Sequence, residues 1–213
     1  MFDGIASRYD RVNDVLSFGC DQRWRGITAD AAHATSGETV LDVGVGTGKL
    51  ADVLVPGVRV VGVDLSAAML MQARRRASRV LCVQGSALAY PFGDGTFDAL
   101  VSAFVLRNLG DLSSAFEEMA RVLRAGGRIA LLDITQPRSA AMRVLFNGYL
   151  GAAAPLLGRL VCRSNAYHYL VRSVTTLPPA EVVCRMLEGS GFEHCSERPL
   201  TAGMTTLWTA VRA

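Results

Sequence analysis

Gly44, Gly46 and Gly48 fall on alternate positions directly after the apolar run Thr39-Val40-Leu41-Asp42-Val43. Glycines at this spacing let a chain leave a strand, turn tightly and bring bare backbone against a ligand, and a following helix would aim its N-terminal amides at that ligand. This is the chemistry of a nucleotide site. A second run, Val58-Arg59-Val60-Val61-Gly62-Val63, is β-branched almost throughout, as a strand buried on both faces is, and it ends in Asp64. A carboxylate there accepts hydrogen bonds from the two hydroxyls of a ribose. A tight strand-to-helix turn with no ligand is the plain alternative for the glycines alone, and Asp64 weighs against it.

Two nucleoside cofactors fit such a start. A dinucleotide asks for Gly-x-Gly-x-x-Gly, but the third glycine is replaced by Lys49 counting from Gly44 and by Ala51 counting from Gly46. S-adenosylmethionine sites use acid-x-Gly-x-Gly-x-Gly, which Asp42, Gly44, Gly46 and Gly48 satisfy. S-adenosylmethionine is therefore the expected cofactor.

The chain of 213 residues is large enough to bury one full core, half of its residues are apolar, and its net charge of +3 gives no reason to invoke nucleic acid. Five cysteines (Cys20, Cys82, Cys162, Cys184, Cys195) lie far apart with no Cys-x-x-Cys pair, which predicts reduced thiols and a cytoplasmic protein. No metal is expected, since no ligand cluster with metal spacing is present. No apolar run reaches the roughly 20 residues that span a bilayer, and no signal peptide precedes the first motif.

These residues need strands and helices in alternation to hold them. Further strands are predicted at Val80–Gln84, Phe97–Ala103 and Arg128–Ile134. Ser66 is the expected cap of a helix through Arg76, and Leu112–Leu123 carries a helical period closed by Gly126-Gly127. A last helix over Pro179–Leu187 leads to an antiparallel hairpin, Glu193–Leu200 with Met204–Val211. The expected fold is α/β, a Rossmann-like, mostly parallel seven-stranded sheet with a C-terminal antiparallel hairpin.

With that order in hand, the chain resembles the ubiquinone and menaquinone biosynthesis C-methyltransferase family, whose members have the class I methyltransferase fold. Tyr9-Asp10-Arg11-Val12-Asn13-Asp14 through Trp24 follows the family's first signature, with Val12 for a methionine and Asp21 for a histidine. Leu106-Arg107-Asn108-Leu109 and Arg121–Gly127 are similar to its second, with Ala125 for a proline. Tyr167-His168-Tyr169 to Ser173 looks like its late tyrosine motif. The resemblance implies cofactor contacts from Gly46 and Thr47 to the methionine end, from Asp64 to the ribose, and from Ser86 and Ala87 to the adenine, with Leu65 also in the cofactor set. Asp42, Gly44, Gly48 and Ala103 join that cofactor set. Ala103 and Val105 stand where the family commonly has serine and glycine, and Trp208 where it commonly has histidine, so the ring bound here is expected to differ.

Arg107 is the candidate cation facing a substrate phenolate, with Asn108 orienting the ring oxygen; the alternative for Arg107 is an ion pair at a helix start. Phe2, Ile5, Tyr9, Val12 and Leu16 recur at helical spacing, giving either a plain core helix or a lid, with Tyr9 on the cofactor and Asn13 and Trp24 near the substrate. Tyr167 and Tyr169 join the expected substrate contacts. Between Asp133 and Glu181 there is no acidic residue, while Arg138, Arg143, Arg159, Arg163 and Arg172 are interleaved with apolar side chains. That segment reads either as packed helices of a substrate lid or as a greasy tunnel resting through 138–172 on an anionic membrane surface.

The chain is accordingly expected to be one methyltransferase domain: an N-terminal helical lid (1–30), a cofactor core (31–136), a helical insertion (137–178), and a closing helix and hairpin (179–213). The expected reaction is methylation of a ring carbon of a prenylated quinol, demethylmenaquinol to menaquinol, in the cytoplasm or at the inner face of the membrane, with a homodimer as a further expectation. Methylation of a soluble phenol or polyketide, and a non-catalytic subunit of a quinone-synthesis complex, are the alternatives.

Overall fold

The computed structural model describes residues 10, 14, 17–149, 151, 174 and 176–213. The elements are α1 (Cys20–Ala31), β1 (Thr39–Val43), α2 (Lys49–Asp52), β2 (Arg59–Asp64), α3 (Ala67–Arg76), β3 (Val80–Gln84), β4 (Phe97–Ala103), α4 (Leu112–Val122), β5 (Leu123–Ile134), α5 (Ala140–Gly148), α6 (Ala180–Gly189), β6 (Phe192–Leu200) and β7 (Thr205–Arg212). Seven strands form one sheet in the order β3-β2-β1-β4-β5-β7-β6. β1 to β5 run parallel, and β7 inserts antiparallel between β5 and β6.

The strands read as unbroken apolar runs because both sheet faces are covered. Val40, Val60, Val101 and Leu132 pack on one face with residues of α1 to α3, whereas Leu41, Leu100, Leu131 and Trp208 pack on the other with α4 and α6. Consecutive residues of one strand thus enter different cores. Helix starts follow local chemistry. The Ser66 hydroxyl accepts from the Met69 amide at 3.2 Å and the Asp111 carboxylate from the Ser114 amide at 3.1 Å.

Three expectations are corrected here. The helix after the glycine loop is a single turn, Lys49–Asp52, so no extended helix aims its terminus at the site. α4 stops at Val122, and Gly126-Gly127 lie inside β5 instead of capping the helix; Gly126 has φ +72, at a register shift where Leu123 pairs with Phe97 and Arg128 with Ala99. The expectation of wholly reduced cysteines also fails. Cys184 on α6 and Cys195 on β6 form a disulfide with their Cα atoms 5.6 Å apart, because the helix packs directly on the edge strand that follows it. Cys20 and Cys82 are free thiols among the described residues.

Candidate functional site

The sheet order decides what meets at the site. Along the C-terminal edge, the chain leaves β3 at Gly85-Ser86, β2 at Asp64, β1 at Gly44 and β4 at Phe104, in that spatial sequence. A cavity of about 290 Å³ runs along this edge, bounded by Ser86, Ala87 and Leu88 at one end and by Arg25, Phe104 and Asn108 at the other. It lies outside the carboxyl ends of parallel strands, where open α/β sheets bind ligands.

The loop between β1 and α2 is pinned from behind. The Gly44 and Val45 amides both donate to the Val63 carbonyl, at 2.8 and 3.0 Å. A Cβ on Gly44 would lie 2.3 Å from a Val105 methyl, so the end of β4 presses against bare backbone. Gly46 differs: it has φ +54, and a Cβ there would meet nothing closer than the Gly44 carbonyl at 3.8 Å. The space before it is open to the cavity. The Asp64 carboxylate accepts from the Gly46 amide and from the Ser66 amide, each at 2.9 Å, so two backbone donors hold its direction before any ribose arrives. Met69, Leu65 and Leu88 supply apolar wall beyond it. This combination of a fixed carboxylate, an open glycine face and an apolar slot fits the nucleoside of S-adenosylmethionine.

The expected cofactor residues divide. Gly44, Gly46, Thr47, Asp64, Leu65, Ser86, Ala87 and Ala103 line the cavity; Asp42 and Gly48 do not. The Asp42 side chain turns away to the α1 side of the sheet, 1% exposed, with one carboxyl oxygen lacking any hydrogen-bond partner. Burial pushes its pKa up to about 7 against the attraction of Arg25, with the charge of Asp64 adding to the rise. Gly48 packs against Ala73 of α3, where a Cβ would lie 3.2 Å from the Ala73 Cα. The Ser86 hydroxyl accepts from the Leu88 amide at 3.1 Å and shapes the turn at that end of the cavity. Tyr9 lies outside the described residues, as do Asn13, Tyr167, His168 and Tyr169.

The described part of the N-terminal segment is tied onto the loop. The Thr47 hydroxyl donates to Asp10 at 2.7 Å, Arg76 pairs with Asp10 and donates to the Thr47 carbonyl, and Lys49 bridges Asp14 at 2.6 Å and Asp21 at 3.2 Å.

Arg107 sits beside the cavity rather than in its wall. Its side chain is 7% exposed and pairs with the fully buried Asp133 at the end of β5, while Asp133 also accepts from the Arg107 amide at 3.0 Å. The structure thus has the ion pair at the start of a helical turn, Leu106–Asn108. The Arg107 Nε is buried without a partner. Asn108 does line the cavity, and its amide donates to the Phe104 carbonyl at 3.2 Å. Trp24, expected near substrate, is buried, with its indole N–H donating to the Thr201 hydroxyl at 2.8 Å. Trp208 is likewise packing: it is fully buried in β7 and donates to the Ala180 carbonyl at 3.0 Å, holding the start of α6.

Sequence reasoning passes over two residues that the fold brings into the wall. Phe104 has φ +66, a left-handed conformation rare for a bulky side chain and a mark of sites where geometry is imposed. Arg25 directly follows Trp24 on α1, and its guanidinium carbon lies 5.1 Å from the Phe104 ring centroid. A second cavity of about 520 Å³ opens further along the sheet edge, at the ends of β5 and β7, between Thr135, Arg138, Leu177, Pro179, Glu197 and Thr206.

Comparison with known proteins bears on this geometry. Residues 1–212 match the model of the ubiE/COQ5 methyltransferase family. The chain belongs to that family. It is 40% identical to the demethylmenaquinone methyltransferase of Thermus thermophilus, over 90% of this chain and 91% of that protein. It is 36% identical to the ubiquinone/menaquinone biosynthesis C-methyltransferase of Hahella chejuensis, over 100% of this chain and 90% of that protein. Among solved structures, a SAM-dependent methyltransferase of Thermotoga maritima superposes with a TM-score of 0.68 at 17% identity, covering 100% of this chain and 98% of the other. In this ubiE/COQ5 member, the expected seven-stranded methyltransferase sheet and its antiparallel C-terminal hairpin are both present.

Proposed function

We propose that the chain transfers the methyl group of S-adenosylmethionine to a ring carbon of a demethylated prenyl-quinol, namely demethylmenaquinol. The observation that carries this reading is the edge cavity with Asp64 held by two amides in front of an open glycine face, in a chain that matches the ubiE/COQ5 family over residues 1–212. Bound there, the cofactor supplies a methyl group already electrophilic on its sulfonium.

The protein then has to position and to stabilise charge. Asp64 takes the ribose hydroxyls, Gly46 and Thr47 border the methionine portion, and Ser86 and Ala87 meet the adenine. The N-terminal segment, held to Thr47 and Lys49 through Asp10 and Asp14, acts as a lid that excludes water. The acceptor ring approaches from the β5 and β7 side, through the second cavity, so that its carbon faces the end of β4. A ring carbon becomes nucleophilic once the neighbouring hydroxyl loses its proton; arginine is a poor base, so that proton leaves to water. After methyl transfer the ring carbon gives up its own hydrogen as a proton, which restores the aromatic ring and the hydroxyl. Asn108 orients the ring oxygen. Arg107, paired with Asp133 beside the cavity, fixes the Leu106–Asn108 turn that presents Asn108 to that oxygen. Holding the two reactants in line contributes roughly 7 kcal/mol in well-oriented cases, so little further side-chain chemistry is required.

Methyl transfer from labelled cofactor tests the reading, with reduced demethylmenaquinone, its demethylated benzoquinone counterpart and a tail-less naphthoquinol as acceptors. Demethylmenaquinol is expected to be turned over, faster with the prenyl tail than without. A preference for the tail-less ring would move the assignment to a soluble phenol, consistent with Val105 filling space against Gly44. Cofactor binding without product on any acceptor would leave a non-catalytic subunit. The double variant Arg107→Leu/Asp133→Leu, which removes both buried charges together, is expected to fold and to lose turnover.

A further inference from the structure

Arg25 is a buried cation of whose five N–H donors only one, on Nε, meets an acceptor among the described residues. Its side chain is 9% exposed, and its Nε donates to both carboxylate oxygens of Asp21, at 3.1 and 3.2 Å. Its two terminal nitrogens make no hydrogen bond to any described residue. Asp42, the other buried carboxyl on this side of the sheet, leaves one oxygen unpartnered and gives them none. Asp21 itself is shared with Lys49, whose Nζ lies 3.2 Å from it and 2.6 Å from Asp14, so Arg25 does not have that carboxylate to itself. A guanidinium taken this far out of water calls for a further anion.

The wall of the edge cavity offers the place for one. Arg25 lines it together with Gly44, Thr47 and Phe104, and the Phe104 ring lies under the guanidinium. The sheet order puts Ser86, Asp64, Gly44 and Phe104 in line, so Arg25 occupies the end of the cavity opposite the adenine turn, with Asp64 between them. In a cofactor whose ribose is held by Asp64, what extends toward β4 is the amino-acid group. That group carries a planar carboxylate, which matches the two parallel N–H donors of a guanidinium.

We propose that Arg25 anchors the α-carboxylate of S-adenosylmethionine and so fixes the amino-acid end of the cofactor against β4. The proposal rests on the reading of the edge cavity as the cofactor site. It explains why the first motif, far from the glycine loop in sequence, is pinned to that loop through Lys49 and Asp21. The same ion pair holds α1 in place and turns the Arg25 fork toward the ligand.

Calorimetric binding of S-adenosylhomocysteine and of its decarboxylated analogue, which keeps the amine, isolates the contact without turnover. Wild type is expected to bind the decarboxylated analogue roughly 10- to 100-fold more weakly. In Arg25→Gln the two ligands are expected to bind alike, and in Arg25→Lys to differ by an intermediate factor. Equal affinities in wild type would overturn the proposal whatever the variants do, as would an Arg25→Gln that weakens both ligands equally. An Arg25→Gln that leaves both affinities intact while raising KM for the quinol would assign Arg25 to the acceptor instead. Asp64→Asn serves the underlying reading: it should weaken both ligands alike, and no change in either would show that the nucleoside lies elsewhere.

Discussion

At the scale of residues, two aspartates that look alike in sequence do opposite things. Asp64 is the last residue of β2 and turns out onto the sheet edge, where two amides receive it. Asp42 lies one residue inside β1, and the pleat sends its carboxyl into the core on the α1 side. Both stand at or next to the end of an apolar strand before a turn, so one sequence pattern takes in a carboxylate that lines the edge cavity and one that does not. The raised pKa of Asp42 has a stability consequence. Its ordinary value is 3.8 and its folded value about 7, so between those limits the folded chain holds a proton that the unfolded chain has lost, and stability falls as pH rises through that window. Asp42→Asn keeps the shape and removes the titration. Its stability relative to wild type should grow by about 4 kcal/mol between pH 4 and pH 8. Urea unfolding at pH 4, 6 and 8 measures this, and a difference independent of pH would contradict it. The sequence leaves Arg107 both an ion pair and a catalytic role, and the pairing of β4 with β5 brings Asp133 to it.

At the scale of elements, strand positions were the most legible feature. β3 and β4 have the limits expected of them, because a β-branched run covered on both faces has few other ways to fold. Element ends were less legible. The glycine pair at 126–127 suits a helix cap or a strand irregularity equally well, and the pairing of Leu123 with Phe97 chose the second. The disulfide between Cys184 and Cys195 carried no spacing signal; it follows from α6 folding back on β6, with Trp208 holding the start of that helix. Closing so short a loop stabilises by up to about 3 kcal/mol in the chain-entropy account. Cys184→Ser is therefore expected to melt below wild type under air oxidation and to match it in excess reductant. Equal melting in both conditions would mean that the thiols are not joined in solution.

For the whole molecule, the arrangement of charge and apolar surface bears on how a prenylated acceptor reaches the site. No helix among the described residues is long and apolar enough to cross a membrane. α5 nevertheless leaves Val144 and Leu145 exposed beside Arg143, at the start of the basic segment, while Phe146 turns inward. Arg138 is drawn out of that segment by Glu181 and Glu197, so the patch begins further along than composition suggested. A peripheral contact through 143–172 is expected to make the protein co-sediment with anionic liposomes, less so as salt rises and less again in Arg143→Glu/Leu145→Ser. Binding indifferent to both changes would place the membrane contact elsewhere.

The nucleoside chemistry, the succession of strands along the chain and the family are all legible in the amino-acid sequence. Each is written locally, in a glycine spacing, in runs of β-branched residues and in short motifs. It took the paired strands to show which carboxylate lines the cavity and which enters the core, that Arg107 is held by Asp133, and that Arg25 joins the cavity wall. These depend on crossovers that place β2, β1 and β4 side by side although other elements separate them along the chain. Side-chain direction relative to a sheet edge, and the partners that burial brings to a charge, exist only once those strands are paired.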